Sequence, residues 1–215
     1  IEILSSFLEK LQKITNNILV YDDGSRKEYE SFFKEIEKKK IIVLHHYINL
    51  GKGRAMKDAF NYLLLKYPNL KGVVTADSDG QHSPKDIEKI AKQINKHPED
   101  LILGVRDFSK ENVPKRNMLG NVITRNVFKL FVGLKITDTQ TGLRGYPKVV
   151  MSKFMTTKGE RFEYETNMLI ESTQKNVPIY EVPIETIYIS GNSESHFNPI
   201  KDSFEIYKLF VKFIF

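Results

Sequence analysis

Apolar residues return every three to four positions over residues 2 to 15, putting Leu4, Phe7, Leu8, Leu11 and Ile14 on one stripe, and this predicts an amphipathic helix. The run "NNILVYDDGS" follows and reads as a short buried strand that closes in a turn. The same alternation then repeats. A helix near 27 to 39 leads to the strand "IIVLHH", one near 53 to 66 to "GVVTAD", and one near 85 to 96 to "LILGVR". Strands alternating with helices of this length predict βαβ units: an α/β class with a mostly parallel sheet flanked by helices, of a nucleotide-binding type.

After Arg106 the rhythm breaks. A basic loop, "DFSKENVPKR", leads to an amphipathic helix carrying Met118, Val122, Ile123, Val127, Leu130 and Phe131. A turn-rich segment, "DTQTGLRGYP", comes next, then a helix starting near Phe162, paired strand-like runs in "VPIYEVPIETIYI", and a C-terminal amphipathic helix. No repeat or low-complexity linker separates the halves, so the second reads as an acceptor side built onto the first.

Composition narrows the chemistry. The 215 residues, 40% of them hydrophobic, suffice for one substantial core. With no cysteine, disulfides and thiolate metal sites are excluded, and any metal must be held by oxygen or imidazole. The start, "IEILSSFLEK", lacks the basic and long apolar regions of a signal peptide and lacks an initiator methionine, so a trimmed start is expected. The end, "YKLFVKFIF", is shorter than the roughly 20 apolar residues that span a bilayer; it reads as a surface helix or the stub of a membrane segment. Formal charge is +6, and the stretch from Arg106 to Lys135 holds seven Lys or Arg against Asp107 and Glu111, a local net of +5. That stretch is either a solvated face or a site for phosphates or an anionic membrane.

In open α/β sheets, ligands bind outside the carboxyl ends of the strands. Three such ends carry informative residues: Asp22 and Asp23, Asp77 and Asp79, and Arg106. In "DSDGQ", the carboxylates of Asp77 and Asp79 and the Gln81 amide can converge on one hard cation, and oxygen ligands suit Mg²⁺ or Mn²⁺. The plain alternative is a solvated turn in which Asp77 caps the helix begun by Pro84. "NLGKGRA" lacks Walker and dinucleotide spacings and leaves a glycine turn, Lys52 and a helix N-terminus, either a weak anion site or an ordinary loop. His45 and His46 sit on opposite strand faces, one expected in the core and one at the surface, neither as a ligand; His196 reads as a loop histidine.

Taken in order, "VYDDGS", "NLGKGRAMKDAF", "ADSDGQHSPKDI", "LGVRDF", "VPKRNMLGNVITR", "DTQTGLRGYP" and "SHFNPIKDS" resemble glycosyltransferase family 2, the GT-A fold enzymes, and most closely the polyprenyl-phosphate hexosyltransferase branch, the dolichyl-phosphate mannose synthase-like proteins. The resemblance runs from residue 20 to about residue 203. It implies that Asp22 and Asp23 contact the nucleotide base or ribose, with Lys52 and Asp77 also on the donor side. Asp77 and Asp79 correspond to a DxD metal motif, with Gln81 as a third contact. Arg106 and Arg116, with Arg125 as a third, fall where that branch binds the acceptor phosphate. Asp138, Gln140 and Arg144 lie near the donor sugar. Glu163 and Glu165 mark a helix start that carries an acidic catalytic residue in many relatives, so Asp79, Asp138 and Glu165 are the candidate catalytic set.

The family begins with an apolar strand ending in a P-x-Y-N type motif, whereas this chain starts one helix later. That strand is expected upstream of Ile1, and membrane helices after Phe215. The resemblance implies a single catalytic domain over 1–215, with a nucleotide-sugar half (1–106) and an acceptor half (107–215). The expected activity is metal-dependent, inverting transfer of a hexose from a UDP- or GDP-sugar to a polyprenyl phosphate at the cytoplasmic membrane face. A sugar-hydroxyl acceptor in polysaccharide or glycan synthesis is the first alternative, and a non-catalytic basic module that binds anions is the second. Nucleic acid is not expected as a partner, because Phe128 and Phe131 of the basic stretch lie on the apolar stripe and make poor stacking platforms.

Overall fold

The computed structural model describes residues 1–106, 125 and 128–185. Helix α1 (Glu2–Gln12) buries Phe7, Leu8 and Leu11, while Ile14, the last member of its predicted stripe, lies past the helix end and is exposed. Strand β1 (Leu19–Asp22) pairs in parallel with β2 (Ile42–His45), from Leu19 opposite Ile42 to Asp22 opposite His45. Between them a 3₁₀ turn (Lys27–Tyr29) feeds α2 (Glu30–Lys38). Phe32, Phe33 and Ile36 of α2 close one core cluster against α1, Ile18 and Ile41.

The remaining elements are α3 (Lys52–Lys66), β3 (Gly72–Thr75), α4 (Pro84–Ile94), β4 (Leu101–Arg106), β5 (Arg144–Pro147), α5 (Lys148–Phe154), α6 (Glu163–Gln174) and β6 (Ile179–Ile184). They form a second sheet in the order β3-β5-β4-β6. As expected, most strands of this sheet run the same way, with one exception. Strand β5, from the segment read as turns, runs antiparallel between β3 and β4, and β4 with β6 is the parallel pair of this sheet. Its four residues are wholly buried: strands flank both its edges, and α4 and α5 pack against it. Leu101, Ile102 and Leu103 of β4 are likewise fully buried, each contributing about 1.5–3 kcal/mol of burial free energy.

Helix α4 has Pro84 in its first turn and Ser83 as its cap, the Ser83 Oγ accepting from the Asp86 backbone N–H at 3.1 Å. The alternative that Asp77 caps this helix is thereby removed. Residues 128–132 form a π turn, with Phe128 in the core and Leu130 76% exposed. Leu130, on the predicted apolar stripe, is thus at the surface. Most of that predicted helix, the basic loop with Arg116, the run after Glu185, His196 and the C-terminal helix lie outside the described residues. Among the described residues no helix is long and apolar enough to cross a membrane.

Candidate active site

The direction of β5 assembles the site. Because β5 is antiparallel, its first residue, Arg144, stands opposite Thr75, the last residue of β3, and opposite Leu103 of β4. The preceding segment, 138–143, is therefore delivered to the carboxyl ends of those strands. Two bonds hold it there: the Thr75 hydroxyl donates to the Gly142 carbonyl at 3.2 Å, and the Gly104 N–H donates to the Leu143 carbonyl at 2.9 Å.

At the end of β3, one Asp77 carboxylate oxygen lies 2.7 Å from Lys52 Nζ. The same ammonium is 2.7 Å from Glu165 Oε2, in the first turn of α6. Lys52 thus joins the predicted DxD aspartate to the predicted acidic residue. The other Asp77 oxygen faces His82 Nε2 at 3.7 Å. Burial alone would raise the Asp77 pKa; the nearby His82 ring and the Lys52 ammonium override it and hold the carboxyl well below the usual range. Burial likewise works against the Lys52 charge, and Glu165 and Asp77 reverse this, raising its pKa.

Two participants were not singled out from the sequence. His82 is buried, and its Nδ1 has no hydrogen-bond partner among the described residues. Gly142 is where the Asp77 carboxylate rests against the backbone, and a Cβ there would occupy the space of Asp77 Oδ2. The Gly142 contact arises from the β3–β5 pairing, whereas His82 lies in the same loop as Asp77.

Asp79 is exposed and accepts from the Gln81 N–H at 2.9 Å. Asp77, Asp79 and Gln81 are oxygen donors, and a cation already lies beside Asp77. This oxygen donor set suits a hard divalent ion. Among the described residues no three His, Asp or Glu side chains are grouped as a metal site.

The acceptor-side prediction places differently. Arg106 binds Asp138 through both carboxylate oxygens, Nε to Oδ2 at 2.7 Å and Nη2 to Oδ1 at 3.1 Å. Asp138 is fully buried and also accepts from the Gln140 N–H at 3.1 Å. Arg144 is 1% exposed and faces inward, donating to the Thr141 carbonyl and the Glu165 carbonyl at 2.9 Å each. It supports Glu165 from behind. Arg125 is exposed, and Arg116 lies outside the described residues. Glu163 caps the turn before α6 by accepting from the N–H groups of Glu160 and Arg161, so geometry separates it from Glu165.

Asp22 and Asp23 brace the other side. Asp22 accepts from the Ser25 N–H at 2.9 Å and contacts His45 Nδ1 at 2.9 Å. Asp23 accepts from Leu50 N–H at 2.9 Å and Gly51 N–H at 2.8 Å, and contacts His46 Nδ1 at 2.7 Å. Gly51 has φ 108°, and a Cβ there would strike the Glu160 carbonyl. That carbonyl accepts from the Arg54 N–H at 2.9 Å. The glycine turn therefore positions Lys52 by tight protein packing, and one helix N-terminal donor is already used within the chain.

His45 and His46 do face opposite ways, with side chains 44% and 8% exposed. His46 Nε2 also meets Asp58 at 3.0 Å. Burial opposes its charge, and the bonds to Asp23 and Asp58 outweigh this and raise its pKa. Because the folded value is raised, His46 stabilises the fold fully below its unfolded pKa of about 6.5 and loses that contribution as pH rises through the folded value. Thermal unfolding from acid to alkaline pH is expected to show this decline in the wild type and a flatter profile in His46→Gln.

The model of the family described as glycosyl transferase family 2 matches residues 2–158. The chain is 30% identical to the UDP-N-acetylglucosamine–dolichyl-phosphate N-acetylglucosaminyltransferase of Methanococcus voltae, over 80% of this chain and 75% of that protein. It is 28% identical to the dolichyl-phosphate beta-glucosyltransferase of Dictyostelium discoideum, over 100% of this chain and 67% of that protein. Among solved structures it is similar to glucosyl-3-phosphoglycerate synthase from Mycobacterium tuberculosis in complex with Mn²⁺, uridine-diphosphate and phosphoglyceric acid, with TM-score 0.67, 12% identity, and coverage of 97% of this chain and 71% of that one. The fold is GT-A, and an enzyme replaces the non-catalytic module among the alternatives. With a family match over residues 2–158, the chain belongs to glycosyl transferase family 2 and is a glycosyltransferase.

Proposed function

We propose that this protein moves a hexose from a UDP- or GDP-hexose to a polyprenyl phosphate at the cytoplasmic membrane face, by metal-dependent, inverting single displacement. The observation that carries the reading is the ionised Asp77 at the end of β3, 2.7 Å from a cation and joined through it to Glu165. The names of the two dolichyl-phosphate transferases support the lipid phosphate, and the Mn²⁺ and uridine-diphosphate complex of the structural neighbour supports the donor and the metal.

Asp77, Asp79 and Gln81 would hold Mg²⁺ or Mn²⁺, which supplies Lewis-acid neutralisation of the nucleotide diphosphate as it leaves. The chain's own residues do the rest by positioning and charge. Asp22 and Asp23 order the base-side turns, Lys52 adds positive charge beside the diphosphate, and Gln140 and the braced Arg144 shape the sugar pocket. Asp138 fixes the Arg106 guanidinium, which works with Arg116 and Arg125 on the acceptor phosphate. Residues 1–106 act as the donor half and 107–215 as the acceptor half of one catalytic domain.

Glu165 distinguishes the acceptor class. A phosphomonoester has a second pKa near 6 and is mostly dianionic at neutral pH, so it attacks without a base. A sugar hydroxyl needs one. Glu165 Oε1 lacks a hydrogen-bond partner among the described residues, the one observation that favours a hydroxyl acceptor. Glu165→Gln is expected to keep lipid-phosphate transfer within about tenfold of wild type, against losses of 10²–10⁴ where a general base is removed. A radiolabelled-sugar transfer assay reads the difference; loss in that larger range turns the reading to a hydroxyl acceptor.

A further inference from the structure

Lys52 does more than sit on the donor side. Its ammonium lies between two carboxylates from different parts of the fold, Asp77 after β3 and Glu165 on α6, at 2.7 Å from each. Its backbone is fixed by the turn at Gly51, whose N–H is held by Asp23, and by the Arg54 bond to Glu160. Gly142 and His82 border the Asp77 carboxylate on the side away from Lys52 Nζ, at its second oxygen. A divalent ion on Asp77 would therefore share one carboxylate with a fixed monocation, and like charges so close repel strongly in a partly buried site.

The geometry points to Lys52 as a resident cation that competes with the metal for Asp77, so that the metal binds well only together with a nucleotide diphosphate. This inference rests on the metal reading above. The nucleotide's phosphates offer Lys52 new anionic partners when it leaves Asp77. Metal and nucleotide then bind cooperatively, and by linkage each raises the affinity of the other by the same factor. Metal alone meets a competitor. Without a metal, Lys52 thereby offsets one of the two carboxylate charges beside it.

The test is Mn²⁺ binding to the complete chain, followed by the paramagnetic resonance signal of free Mn²⁺ with and without saturating UDP. Lys52→Gln removes the charge but keeps a hydrogen-bonding group between the carboxylates. It is expected to bind Mn²⁺ alone about tenfold more tightly than wild type, and to gain less from UDP. Lys52→Arg keeps the charge and is expected to stay weak. Adding Asp77→Asn to Lys52→Gln should abolish the gain. Equal, Asp77-dependent affinity in wild type and Lys52→Gln overturns the competition while leaving the metal reading intact. No Asp77-dependent Mn²⁺ binding in any variant, even with UDP, overturns the metal reading and the inference with it. If Lys52→Gln fails to fold, acetylation of Lys52 in the wild type, followed by mass spectrometry, replaces it. Saturating Mn²⁺ should free the side chain and raise its labelling, and unchanged labelling overturns the competition.

Discussion

Asp79→Ala is expected to lower hexose transfer by about 10³-fold, the scale of removing a group that stabilises transition-state charge. Its stability should stay within about 0.5 kcal/mol of wild type, as for surface substitutions without buried partners. The asymmetry follows from its surroundings. Asp79 is exposed, and its described hydrogen bond is to the backbone of its own turn, at Gln81. Asp77 makes a poorer probe, because removing it also leaves Lys52 with one carboxylate fewer. Steady-state transfer rates and a denaturant titration on the same variant check both halves. Near-wild-type transfer would remove Asp79 from the metal set.

Gly142→Ala is the second large effect. The new methyl would enter the space of the Asp77 carboxylate, which is also held by Lys52, so either the carboxylate or the β5 approach must shift. Displacements of about 1 Å in a reacting site cost about 10²-fold in rate. A loss of that order in kcat is expected, together with weaker metal-dependent binding of UDP by calorimetry. Gly142 also carries the carbonyl that accepts from Thr75, so Thr75→Val, which leaves Gly142 itself intact, serves as the control for that hydrogen bond. Its effect should be much smaller.

The order of helices and strands up to Arg106 could be read from periodicity alone, because each strand is a short apolar run between polar turns and each helix buries one stripe. The placement of Asp22, Asp77 and Arg106 at strand ends followed from the same reading. Strand β5 was not legible. Its residues, Arg144 to Pro147, include a glycine, a proline and a charge, and they become a strand because β3 and β4 supply partners on both edges. Local propensity yields to tertiary context there.

The site was legible by residue but not by partnership. Lys52, Asp77 and Glu165 were each singled out, yet nothing in the sequence says that one ammonium joins the two carboxylates. Arg106 and Asp138 were assigned to acceptor and donor sides, and the structure pairs them directly. Gly142 carried no local signal at all, since its role depends on how closely β5 brings its loop to Asp77, and nothing in the loop after β3 marked the closeness of His82 to Asp77. Residue type announces chemistry, while contact across the fold decides which groups share a charge.

One incubation decides whether the acceptor is a lipid phosphate. The full chain is combined with a polyprenyl phosphate, a panel of UDP- and GDP-hexoses and Mg²⁺ or Mn²⁺, and the products are extracted into organic solvent and identified by mass spectrometry. One polyprenyl-phosphate hexose with inverted anomeric configuration is expected, formed from a single donor and lost on chelation of the metal. Transfer to sugar hydroxyls with no glycolipid from any donor would contradict a lipid-phosphate acceptor.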